Sequence, residues 1–148
     1  MQVMPAQRCV IVGVDGSPNS IAALRRAAEE ARRRRARLDV VRVLAPEPGA
    51  SPHPLRTARE WLRLRSLVAR IVTRSQHLTT RLRIAYGDPG RVLADQAGHG
   101  ELLVIGARGH SEHGNPFGGA TIPVVRANAR CEVVICADHH AAPEGSPP

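Results

Sequence analysis

The sequence predicts an α/β fold in three layers: a five-stranded parallel sheet with helices on both faces. Three observations carry this reading. Short apolar runs rich in β-branched residues recur at 8–14, 38–44, 80–86, 101–107 and 131–137. Segments of helical periodicity separate them, so successive strands need crossover connections and pair in parallel. Glycine and aspartate punctuate the ends of three runs, at Asp15-Gly16, Gly87-Asp88 and Gly106–Gly109. In such sheets a ligand sits beyond the carboxyl ends of the strands, and these are the turns that lie there. The 148 residues suffice for one domain with a complete core.

Each element has a local cause. RCVIVGV (8–14) is a buried strand that stops at Asp15-Gly16. Ser17-Pro18 then supplies an N-cap and a proline at the first helical position. Ile21, Leu24, Ala28 and Ala31 recur at helical spacing through about residue 35. LDVVRVL (38–44) is the second strand. APEPGASPHPLR (45–56) carries four prolines and reads as a long loop. A helix follows over about 57–78, with Trp61, Leu64, Val68, Ile71 and Leu78 on one face. TRLRIAY (80–86) is the third strand, and Asp88-Pro89 caps a helix that runs through about Gly98. ELLVIGA (101–107) and CEVVICA (131–137) are the fourth and fifth strands, the latter preceded by a helix over 123–129. Residues 1–7 read as a flexible N-terminus, 8–137 as the folded domain and 138–148 as a polar, proline-rich disordered tail.

Composition excludes several functions. The formal net charge is +8, and all 21 basic residues are arginine, which rules out a lysine Schiff base or a P-loop lysine. The run RRRRAR (32–37) falls at the carboxyl end of a helix, where cations suit the macrodipole, and reads as a solvated helix end. One Trp, one Tyr and one Phe make no stacking platform, so nucleic acid is not an expected partner. No apolar run approaches the ~18 residues of a membrane span, so no membrane partner is expected. The N-terminus lacks a secretory signal, and three cysteines make no disulfide framework, which together predict a cytoplasmic protein. Cys131 and Cys136 lie an odd number of residues apart and therefore point to opposite faces of the last strand. His110, Glu112 and His113 read as a solvated loop, and His139-His140 as part of the tail, rather than as metal ligands. No base and nucleophile are paired by spacing, so a binding module is expected rather than an enzyme.

Neither GxxxxGK[ST] nor a GxGxxG after the first strand is present. Instead Gly106-x-x-Gly109 is followed by nine residues and then Gly119. With VGVDGSPNS near the start, LLVIGARG in the fourth strand and ANARCEVVIC at the last, the chain resembles the universal stress protein family over about residues 7–137. That family's signature is G-x-x-G, nine residues, G-[ST]. The resemblance implies a single-domain Rossmann-like sheet in the order 3-2-1-4-5. It also implies ATP or another adenine nucleotide at the carboxyl edge, with or without Mg2+, and a homodimer through the last strand, 131–137.

Position by position, the resemblance places Asp15 by the adenine and ribose and Val43 with its backbone against adenine. Gly106, Arg108 and Gly109 form the first phosphate turn, and Gly119, Ala120 and Thr121 the second. Ala120 stands where the family has serine or threonine, and Ile122 where another hydroxyl is common. Thr121 lies between those positions and is expected to point elsewhere. A hydrogen bond to a charged group contributes roughly 1.5–3 kcal/mol, so weak binding is expected. Pro123 disfavours helical backbone at Ile122, so the helix is expected to begin at Pro123 rather than near Gly119. Asp15 has a purely local alternative, an Asx turn that caps the next helix. The alternative function is a dimeric, partner-binding stress module whose phosphate site has degenerated.

Overall fold

The computed structural model describes residues 8–45, 54–72, 78–98, 100–107 and 121–136. Five strands, β1 (Cys9–Gly13), β2 (Arg37–Leu44), β3 (Thr80–Tyr86), β4 (Leu102–Gly106) and β5 (Glu132–Cys136), alternate with four helices. The helices are α1 (Pro18–Arg34), α2 (Pro54–Ile71), α3 (Pro89–Ala97) and α4 (Thr121–Asn128). All strand pairs are parallel, in the order β3-β2-β1-β4-β5.

The period of two along each strand divides the core in half. Val10, Val12, Leu38, Val40, Leu102 and Val104 face one side, where Leu24, Ala27 and Ala31 of α1 and Leu64 and Val68 of α2 cover them. Cys9, Ile11, Val41, Leu103 and Ile105 face the other, against Leu93 and Ala97 of α3 and Val125 of α4. Cys136 packs on the first cluster and Cys131 on the second, on opposite faces as the odd spacing requires.

Helix α1 shows how local signals set an element. Ser17 caps it, its side chain accepting the Ser20 N–H at 3.2 Å, and Pro18 opens the first turn. It ends at Arg35, which adopts the left-handed conformation (φ 54°, ψ 45°) with its N–H directed at Ala31 and Arg32 carbonyls. The Ala36 N–H reaches the Ala31 carbonyl at 2.9 Å, completing a Schellman cap with arginine in the position glycine usually fills.

Three expectations need correction. α2 starts at Pro54, not 57: proline suits the first helical position, so the last proline of the predicted loop opens the helix. α2 also stops at Ile71, and Leu78 reaches the core from the approach to β3 rather than from the helix. α4 begins at Thr121 and includes Ile122. Proline at its third residue forfeits no helical hydrogen bond, because first-turn N–H groups have no partner within the helix. Burial of Ile122 and Val125 against the second cluster offsets the pre-proline cost.

The RRRRAR run is likewise more than a solvated end. Arg34 Nη1 donates to Glu101 Oε2 at 2.9 Å and its Nε to Glu30 Oε1 at 3.1 Å, while Nη2 lies 3.7 Å from Glu132 Oε1. Arg37 is held on Asp39, Nε to Oδ1 at 2.7 Å. Arg32, Arg33 and Arg35 do remain exposed.

Candidate functional site

A cavity of about 300 Å³ opens at the carboxyl edge of the sheet, where β1 and β4 lie side by side and their connections leave in opposite directions. Its walls are the ends of β1, β2 and β4, with Pro89 and Leu93 from α3, Arg56 from α2 and Thr121 from α4. The volume is at the lower end of the range usual for small-molecule sites.

Asp15 stands exposed at the cavity edge, in the turn after β1. Its Oδ1 accepts the Ser17 N–H at 2.9 Å, the predicted Asx turn. Gly16 follows with φ +87°, a backbone that favours glycine. The Asp15 N–H donates to Ser20 Oγ at 3.2 Å, and Ser20 Oγ in turn donates to the Ser17 carbonyl at 3.0 Å. Ser20 is buried, so this network fixes the rim where β1 enters α1.

Val43, Gly106 and Thr121 join Asp15 around the same space. Thr121 is among the residues that line the cavity, while Ile122 packs into the core. The start of α4 is therefore set so that the apolar side chain meets the sheet and its neighbour meets the cavity. Arg108, Gly109, Gly119 and Ala120 lie outside the described residues, as do His110, Glu112, His113, His139 and His140. Of the second predicted rim turn, Gly87-Asp88, neither residue is among those lining the cavity: Asp88 caps α3, its Oδ2 accepting the Arg91 N–H at 3.1 Å, and it is the following Pro89 that lines the space.

Gly106 has a packing role that its place in a phosphate motif does not reveal. A Cβ there would lie 2.6 Å from the Asn19 carbonyl carbon, 2.7 Å from its oxygen and 2.8 Å from the Ser20 nitrogen. The first turn of α1 thus rests directly on the end of β4. Asn19 Nδ2 donates to the Ala107 carbonyl and fastens that contact.

Sequence reasoning missed Arg56 and Ser20 as wall residues. Arg56 Nη1 donates to the Ala45 carbonyl at 3.3 Å, and its guanidinium lies 5.7 Å from the centre of the Tyr86 ring. Tyr86 is itself held by Thr57, hydroxyl to hydroxyl at 2.7 Å. Ser20 is the third helical residue after the N-cap Ser17, a position whose N–H the cap accepts, but its side chain turns back to the Asp15 N–H and the Ser17 carbonyl. Nothing local marks Arg56, which reaches the site only because α2 packs across β3.

Among the described residues no three His, Cys, Asp or Glu side chains group as a metal site. Burial first, then the nearby Asp39 carboxylate, pushes the Cys9 thiol up to about 11. Burial likewise raises Cys131 and Cys136, so none of these is a ready thiolate at neutral pH.

A parallel 3-2-1-4-5 sheet with a cavity over its central strands defines a Rossmann-like α/β class. Within it, residues 8–137 match the model of the universal stress protein family, and the chain belongs to that family. Among solved structures, a universal stress protein in complex with cAMP is 25% identical, with TM-score 0.69, covering 88% of this chain and 97% of that one. The universal stress protein UspA from Lactobacillus plantarum is 24% identical (TM-score 0.64; 90% and 99% covered). The Archaeoglobus fulgidus universal stress protein solved with dAMP is 22% identical (TM-score 0.66; 89% and 99% covered). A search of curated proteins finds no match.

Proposed function

We propose that this chain is a regulatory module that binds an adenine nucleotide, such as ATP, in the cavity at the carboxyl edge of the sheet. The observation that carries the reading is the convergence of Asp15, Val43, Gly106 and Thr121, from four separate elements, on one cavity of about 300 Å³. The 25%-identical universal stress protein in complex with cAMP supports the ligand class. In this reading Asp15 and Val43 hold the nucleoside. The turn of Gly106, Arg108 and Gly109 and that of Gly119, Ala120 and Thr121 hold the phosphates. In this reading Thr121, which lines the cavity, supplies a hydroxyl in place of the one that Ala120 lacks, and Arg56 adds positive charge to the wall. Mg2+, where it accompanies ATP, would bind through phosphate oxygens, since the wall offers Asp15 as its one carboxylate among the described residues.

The test is calorimetric titration of nucleotide-free protein with ATP and cAMP. Saturable heat that Thr121→Val weakens by about ten- to a hundredfold, as expected for one lost charged hydrogen bond, supports the reading; no heat and no thermal shift at millimolar nucleotide refutes it. One observation favours the alternative of a degenerate site with a purely partner-binding role. Gly106 and Asp15 each have a complete structural explanation without any ligand.

Both readings include a cytoplasmic homodimer joined through the last strand, 131–137. β5 is an edge strand with half-buried Val133, Val134 and Ile135, the kind of edge that pairing covers. Sedimentation at micromolar protein should give twice the 15.9 kDa chain mass; a purely monomeric species refutes this.

A further inference from the structure

The net charge of the chain is +8, and two helices account for all of it. Helix α1 with its cap Arg35, together with α2, holds eleven arginines and three glutamates. The ten arginines and ten acidic residues elsewhere in the chain cancel. α1 and α2 cover the same side of the sheet as neighbours, so the whole excess lies in one layer. Glu30 is already shared among Arg26, Arg33 and Arg34, which leaves few acids to neutralise the exposed Arg25, Arg32, Arg59, Arg65 and Arg70.

The outward side of α2 is also apolar. Leu55, Ala58, Leu62 and Ala69 are exposed and recur at spacings of three, four and seven, which aligns them on the helix side opposite buried Leu64. Leu55 is 68% exposed and Leu62 55%. Arg59, Arg63 and Arg70 flank this stripe on one side. On the other stand Arg65 and Trp61, the guanidinium 5.8 Å from the indole centre, with Trp61 37% exposed. Single exposed leucines are ordinary, but two leucines and two alanines in one stripe, bordered by arginines on a face of strong net positive charge, are not.

We infer that the α1–α2 face docks peripherally on an anionic lipid surface. Arginines of both helices meet the headgroups, while Leu55, Leu62 and Trp61 enter the boundary between headgroups and acyl chains. Charge complementarity selects an anionic partner. The stripe selects lipid over nucleic acid, because leucine side chains gain nothing against a phosphate backbone, whereas burial at a bilayer boundary removes them from water. A contact of this kind needs no spanning helix, and among the described residues no helix is long and apolar enough to cross a membrane.

Trp61 is the only tryptophan and sits on the proposed face, so its emission reports insertion. The full chain is mixed with phosphatidylcholine vesicles with and without phosphatidylglycerol. The inference expects co-sedimentation with the anionic vesicles alone, a blue shift of Trp61, and weakening by salt. Arg59→Gln/Arg63→Gln/Arg70→Gln should cut partitioning by about two orders of magnitude, at about tenfold per 1.4 kcal/mol and about 1 kcal/mol per arginine. Leu55→Ser/Leu62→Ser should cut it at least tenfold and abolish the blue shift, with circular dichroism showing both variants folded. Failure to sediment, or equal sedimentation with neutral vesicles, overturns the inference. So does binding without a blue shift and indifferent to the leucine changes, or displacement from vesicles by a DNA fragment or an acidic protein at equal charge.

Discussion

Replacing Gly106 with alanine separates the two reasons a glycine can stand at the end of β4. The added Cβ would sit 2.6–2.8 Å from three backbone atoms of Asn19 and Ser20. Backbone cannot turn aside as a side-chain tip can, so the first turn of α1 must shift outward by several tenths of an ångström. That shift strains the Asn19–Ala107 hydrogen bond and loosens α1, whose Ala23, Leu24 and Ala27 are fully buried. Overpacking of this kind costs about 1–3 kcal/mol. At ~2–4 °C per kcal/mol for a domain of this size, the melting temperature should fall by about 2–12 °C. The assay is thermal melting followed by circular dichroism, without nucleotide, checked by urea unfolding with an unchanged slope. Gly13→Ala is the control: the three atoms nearest its Cβ all belong to the Leu93 side chain, the closest a methyl at 2.8 Å, and a side-chain end can give way where backbone cannot. If Gly106→Ala melts within a degree or so of the native protein, or if Gly13→Ala is the worse of the two, the packing argument is wrong.

Two further outcomes follow from other parts of the chain. Arg35→Gly should stabilise by about 0.5–1 kcal/mol, because the left-handed backbone (φ 54°) costs a residue with a Cβ roughly 1–2 kcal/mol, offset in part by the greater freedom of glycine when unfolded; urea titration shows it as a higher midpoint. Glu30 is buried: desolvation pushes its pKa up, but hydrogen bonds from Arg26 and Arg34 and the charge of Arg33 prevail and hold it below 4.5. A depressed carboxylate stabilises the fold at neutral pH, and that contribution is lost as pH falls below about 4.5 through the folded value. Glu30→Gln should therefore cost about 1–2 kcal/mol at pH 7, and its melting temperature should decline less than that of the native protein on acidification from pH 5 to about 3; parallel decline in the two refutes the assignment.

The architecture was legible because each element announces itself locally. β-branched runs gave all five strands within about a residue, and Ser17-Pro18 and Asp88-Pro89 placed two helix starts. Errors came where one residue type has two roles. Pro54 reads as loop and Pro123 as the residue that opens its helix, yet Pro54 belongs to α2 and α4 already includes Thr121 and Ile122 before Pro123. The site was legible where it follows the chain, as in the Asp15 turn. It was not where it depends on what packs beside it. Arg56 reaches the cavity from a helix whose partner strand lies further along the sequence, and the closeness of Gly106 to Asn19 joins positions 87 residues apart. No periodicity encodes such meetings.

Helix α1 is anchored to β4 at both ends. Asn19 bonds the Ala107 carbonyl beside the cavity, and Arg34 grips Glu101 at the far end, with Glu132 nearby. A bar pinned twice to one rail neither tilts nor slides against it. The α1 and β4 side of the cavity, with Ser20 and Gly106, is thus a fixed reference, and Arg56, Pro89 and Thr121 line the space from α2, α3 and α4.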